Sequence, residues 1–277
     1  MKIQTKSIVI RFLLMITLAH FHIGTYCQNL GMNMLTPLGK LHVKGAADAS
    51  QLIIDANSAQ SNSKPLLLLR KSDASKLLAI TTDDSTNCFI GLGAGVSNNA
   101  STLALNNSFI GHQAGFLNST GHDNTAIGSQ ALYNNTRLSQ NTAIGRAALV
   151  TQSYDPGFDI SSGNVAVGNA ALLTNNPTNP VNGVANTAVG WSAMRFNTIG
   201  ANNAAFGFGS LYSNTTATKN TAVGMDAMRL NTTGGSNTAI GANALYNNIT
   251  GFGNTAVGNN AGNGDVGINF SQCTFLG

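Results

Sequence analysis

The sequence predicts an all-β protein, a parallel β-solenoid (β-roll) of about ten 17-residue coils preceded by a small β segment. Three observations carry that expectation. A pentapeptide of the form Asn-Thr-Ala-Ile/Val-Gly recurs ten times, beginning at Asn87, Asn107, Asn124, Asn141, Asn164, Asn186, Asn203, Asn220, Asn237 and Asn254. Every step from Asn186 to Asn254 is 17 residues, as are the steps from Asn107 through Asn124 to Asn141. The chain contains no Glu and is only 9% charged, so the good surface helix formers are missing.

The first 27 residues read as a secretory signal peptide. Lys2, Lys6 and Arg11 surround the apolar run Phe12 to Ala19, which is short for a bilayer span. Cleavage is expected near Cys27 or Gln28. This places the mature protein outside the cytoplasm, secreted or on the outer surface of a bacterial cell. Residues 28–86 form a second region with strand-like runs at Leu41-His42-Val43, Gln51 to Asp55, Pro65 to Leu69 and Leu77 to Thr82. Asp48, Ser61-Asn62-Ser63 and Asp73 punctuate them as turns would. The expectation is a small β cap over the first coil, because an open coil exposes unpaired backbone groups.

Residues 87–277 are the solenoid. Each coil offers two short extended pieces, such as Thr125-Ala126-Ile127 and Ala131-Leu132-Tyr133, with Gly128 turning between them. Asn at the first position (Asn124, Asn141, Asn186, Asn220, Asn237) is expected to stack as a side-chain ladder. Gly at the fifth (Gly128, Gly145, Gly190, Gly224, Gly241) supplies a positive φ or a close backbone approach. The interior is assigned to two aliphatic columns: Ile127, Ile144, Val189, Val223 and Ile240, and Leu132, Leu149, Met194, Met228 and Leu245. Alternation then puts the strand Ala on the other face. A coil with two or three large side chains is thin for the entropy of ordering 17 residues, at about 1.5 kcal/mol each. Association of several copies is therefore expected, with the Ala rows at the contact.

Length variation falls at one point of the period. The coils at Asn141 and Asn164 carry longer loops, Thr151 to Gly163 and Thr174 to Ala185, which marks an exposed edge. Tyr154, Phe158 and Trp191 are the exposed binding candidates. Cys88 and Cys273 sit at opposite ends of the array, roughly 50 Å apart at 4.8 Å per coil, which excludes a bond between them within one chain.

Chemistry is sparse. From Asn87 onward five basic side chains balance five acidic ones, which gives no electrostatic footprint for nucleic acid. Gly262-Asn263-Gly264-Asp265-Val266-Gly267 matches a dinucleotide fingerprint but lacks its strand, helix and acidic partner, so no cofactor is expected. His112, His122 and Asp123 are irregularly spaced for a metal, and the Asp residues are too scattered for a polysaccharide-cleaving solenoid or calcium coils. No catalytic residue, metal ligand or small-molecule substrate is assigned. A column of Thr (Thr125, Thr142, Thr187, Thr221, Thr238, Thr255), interrupted by Val165 and Ala204, raises an ice-binding surface. Sharing a face with the Ile/Val column, it is expected to point inward or toward a corner.

The repeated Asn-Thr-Ala-Ile/Val-Gly with a following Ala-Leu resembles the head repeats of YadA-like trimeric autotransporter adhesins, over residues 87–277 or about two thirds of the chain. The resemblance implies left-handed parallel β-rolls, three chains side by side. Thr36-Pro37-Leu38-Gly39-Lys40-Leu41-His42-Val43 also looks like the opening of tail-fibre-like proteins, which often carry head repeats before an endosialidase-type chaperone domain. The 17-residue period is longer than the usual head repeat, which enlarges the loop side. Cys273-Thr274-Phe275-Leu276-Gly277 reads as the opening of an eleventh coil, so the repeat region is expected to be truncated. The functional expectation is a non-catalytic surface adhesin, a homotrimer that projects loops toward a host surface, matrix or glycan. A phage-derived tail-fibre segment is the alternative, and an ice-binding or carbohydrate-active solenoid a more distant one.

Overall fold

The computed structural model describes residues 30–32, 41–43, 65–71, 75–99, 103–266 and 269–277. The expected signal peptide, the strand at Gln51 to Asp55 and the turns at Asp48, Ser61 to Ser63 and Asp73 lie outside them. The chain divides into residues 1–55 and 56–277. Within the first unit, β1 (Leu30–Met32) and β2 (Leu41–Val43) pair in parallel.

The second unit is a parallel β-solenoid of about eleven turns, and its described residues contain no helix. A hairpin of β3 (Leu67–Arg70) and β4 (Lys76–Thr81) leads into β5 (Cys88–Ile90), with β4 antiparallel to both neighbours. It occupies the edge that β5 would otherwise expose. Ten more three-residue strands follow in parallel: β6 (Ser108–Ile110), β7 (Thr125–Ile127), β9 (Thr142–Ile144), β11 (Val165–Val167), β12 (Thr187–Val189), β13 (Ala204–Phe206), β14 (Thr221–Val223), β15 (Thr238–Ile240), β16 (Thr255–Val257) and β17 (Thr274–Leu276). Two further short strands, β8 (Leu138–Ser139) and β10 (Ile160–Ser161), pair beside the loops. Register is strict: Ile127 pairs with Ile144, Ile144 with Val167, Val167 with Val189, and Phe206 with Val223. Equivalent side chains form columns.

The columns face the opposite way from expectation. Ala126, Ala143, Ala166, Ala188, Ala205, Ala222, Ala239 and Ala256 are fully buried inside the coil. Ile127, Ile144, Val223 and Ile240 are 36–43% exposed on the outside, and Val189 is half-buried. Alternation holds, but the interior takes the small residue. Leu132, Leu149, Met194, Met228 and Leu245 are fully buried, as expected, and each reaches across to the strand. With one long side chain already filling so narrow a section, only Ala fits opposite it. The Ala rows are therefore core and cannot form a contact between copies.

The second piece of the coil is a turn rather than a strand. Gln130 (φ 58°) and Leu132 (φ 53°) are left-handed, and the same pair recurs at Ser192 and Met194. These turns still bond from coil to coil, for example Leu132 N–H to Ala148 O at 2.9 Å. The Gly corners behave as expected. Gly128 has φ 131°, and a Cβ there would lie 2.7 Å from the Gly145 carbonyl in the next coil.

Candidate functional site: the outer sheet face and its flanks

The Asn column at the first repeat position is buried, and each side chain accepts from the next coil's backbone. Asn124 Oδ1 accepts from Asn141 N–H at 3.0 Å, and Asn220 Oδ1 from Asn237 N–H at 2.9 Å. A second column, which sequence reasoning missed, runs eleven residues further on: Asn98, Asn118, Asn135, Gln152, Asn175, Asn197, Asn214, Asn231 and Asn248. Here amide donates to amide, as Asn135 Nδ2 to Asn118 Oδ1 at 2.7 Å and Asn214 Nδ2 to Asn197 Oδ1 at 2.6 Å. The two columns meet at one shared carbonyl in most coils, though not in that of Asn141 and Gln152. Leu138 O accepts from both Asn124 and Asn135, and Ala217 O from both Asn203 and Asn214. Gln152 takes the Asn slot where the coil carries a long loop, and its longer side chain spans to Asn135 Oδ1 and Ser162 Oγ. These interior amides fix the coil cross-section, leaving the outer surface free to carry function.

The outer face of the sheet carries two columns. One is mainly Thr: Cys88, Ser108, Thr125, Thr142, Val165, Thr187, Ala204, Thr221, Thr238, Thr255 and Thr274. The other is apolar: Ile90, Ile110, Ile127, Ile144, Val167, Val189, Phe206, Val223, Ile240, Val257 and Leu276. The expectation for the Thr column is an inward or corner position. The column lies outward because it shares a face with Ile and Val, and that face is outside. Its members are mostly half-buried.

Two residues beyond the apolar column the chain turns past the Gly corner. The residues there are Leu92, His112, Ser129, Arg146, Asn169, Trp191, Phe208, Met225, Ala242 and Asn259. Trp191, Phe208 and Met225 are consecutive in this column and about half exposed. The Trp191 and Phe208 rings stack at 4.8 Å with planes 11° apart, so each covers one face of the other. Trp191 thus belongs to a corner ridge and does not join Tyr154 and Phe158. Those two lie in the first long loop, Tyr154 half-buried and Phe158 exposed. Arg137 of the preceding coil is ion-paired with Asp155 beside them.

Among the described residues the titratable groups are spread over separate coils. His122 Nδ1 is 2.7 Å from Asp123 Oδ2, and that contact, then Asn106, holds the Asp123 carboxyl below its ordinary range. His112 stands in the corner column, apart from this pair in the repeat. Among the described residues no group of three or more His, Cys, Asp or Glu is placed to hold a metal ion. Gly262, the first residue of the dinucleotide-like run, has a packing role instead: a Cβ there would strike the Phe275 ring at 2.7 Å and Leu245 at 2.8 Å. Among the described residues no helix is long and apolar enough to cross a membrane. No family model, curated protein or solved structure significantly matches this chain.

Proposed function

We propose that this chain is a non-catalytic structural protein of the bacterial cell surface, exported by its leader, working as a homotrimer and presenting its long loops for adhesion. One observation carries the reading. An apolar column running the length of the sheet lies outside a fold whose interior is already filled. Solvation of such a column is unfavourable, and side-by-side packing of copies removes it from water. The contact falls on the Thr and Ile/Val columns rather than on the Ala rows. Three rigid rods packed in this way make a stiff stalk or head. Its variable loops then face a host surface, matrix or glycan.

The mass of the mature protein in solution tests the association; a monomer at every concentration would sink it. Adhesion is tested by excising residues 154–159 and 177–182, which spares Gln152, Ser162, Asn175 and Gly183 of the amide columns. Loss of attachment to host matrix with an unchanged fold is the expected result. A phage-derived tail-fibre segment is the nearest competitor, and virion genes beside this one would favour it.

The outward Thr column favours a second reading, an ice-binding face. Val165, Ala204 and the bulky Phe206 interrupt its regularity. Thermal hysteresis no greater than that of a plain protein control disposes of it.

A further inference from the structure

We propose that Trp191, Phe208 and Met225 form a ridge covered by a second copy of this chain, widening the association face around the Gly corner. The inference rests on the self-association reading and concerns where that contact extends.

Composition of the column is the first argument. Ser129, Arg146, Asn169 and Asn259 occupy the same position in other coils, so the corner itself accepts a polar side chain. Three large apolar residues in consecutive coils, each about half exposed, are not needed by the coil that bears them. Continuity is the second. Gly190, Gly207 and Gly224 join the ridge to Val189, Phe206 and Val223, which belong to the apolar column. Phe206, the only aromatic residue of the outer apolar column among the described strands, thus flanks the Gly207 corner with Phe208.

Area is the third. Eleven rungs at about 4.8 Å and three residues at about 3.3 Å give the bare sheet face roughly 500 Å². A stable interface needs about 800 Å² from each partner. Half-exposed large side chains add on the order of 100 Å² apiece, so the three ridge residues supply roughly the missing 300 Å². The ridge presents aromatic rings and a thioether, which suit an apolar protein surface. The stacking of Trp191 on Phe208 covers one face of each ring and so halves the open ring face that a sugar would need.

The test is a triple variant, Trp191→Asn, Phe208→Ser and Met225→Ser, which introduces residue types found at this position in other coils. Sedimentation equilibrium of the mature protein should show self-association weakened by at least about 100-fold, with unchanged circular dichroism. Trp191 is the only Trp, so its emission in the parent protein should shift to the blue as mass rises with concentration. If the parent associates and the variant associates equally well, or the emission stays that of a solvated indole, the ridge proposal is wrong while the association reading stands. If the parent never associates, both fall.

Discussion

The Phe109 ring occupies the place where a side chain at Gly115 would sit: a Cβ there would lie 2.5 Å from the ring. Phe89 and Gly95 repeat the relationship in the preceding coil. In the coils that begin at Asn124 through Asn237 the strand residue is Ala and its partner is Leu or Met, as Ala126 with Leu132 and Ala188 with Met194. The coil interior is one slot, filled either from the strand or from the turn. Phe275 over Gly262 fills it from the neighbouring coil.

The exchange should therefore be reversible. Phe109→Ala alone leaves a cavity and costs about 3–5 kcal/mol, and Gly115→Leu alone overpacks the slot for about 1–3 kcal/mol. The double variant should regain most of the loss, since Gly115 (φ 57°) and Leu132 (φ 53°) share a backbone conformation. A residual cost of about 0.5–1.5 kcal/mol remains from the broken Phe89–Phe109 stack at 5.3 Å. Chemical denaturation of the three variants measures the coupling; strictly additive costs would refute the shared slot.

Much of this was legible in the sequence. The 17-residue step gave the columns that hold Asn124 and Gly128, but not that the Asn124 side chain would bond the next coil's backbone as well as its amide. The faces were not legible, because alternation separates Ala126 from Ile127 without saying which points inward. That choice is made by Leu132 reaching across the coil, a tertiary fact. The Phe109 and Gly115 pair did carry the signal, since a large strand residue coincides with loss of the turn Leu. The second amide column was spelled out at a constant eleven-residue offset but hidden in loops already rich in Asn. The left-handed turns stayed invisible because Gln130 and Leu132 are not glycine.

The second amide column should be as necessary as the first. Asn214→Ala removes donors to Asn197 Oδ1 and Ala217 O and the acceptor of Asn231 Nδ2. Leaving buried polar atoms unpaired costs about 1–3 kcal/mol each, so a loss of at least that size is expected in denaturant unfolding. A neutral result would mean that water replaces the amide.

Backbone geometry gives a pair of opposite outcomes. Gly128→Ala forces a Cβ against the Gly145 carbonyl at a φ of 131°, and should destabilise by about 3 kcal/mol or more. Ala185 (φ 54°) precedes its Asn in a left-handed conformation, where Gly163 and Gly253 do the same duty. Ala185→Gly should therefore raise stability by up to about 1 kcal/mol, relief of strain being partly offset by chain entropy. Thermal midpoints of the two variants should move in opposite directions.

Cys88 provides an internal probe of which face associates. It heads the Thr column, paired in register with Ser108, and is exposed. If three copies turn this face toward a common axis, three Cys88 thiols gather near it. Disulfide formation needs Cα atoms within about 7 Å, and three thiols can make a single bond. Mild oxidation of mature protein carrying Cys273→Ser, and Cys27→Ser if that residue is retained, should thus convert at most two of every three chains to covalent dimer. Cys88→Ser should abolish the band. A trimer by mass in which no cross-link forms would place the contact on some other face, with the apolar column left in water.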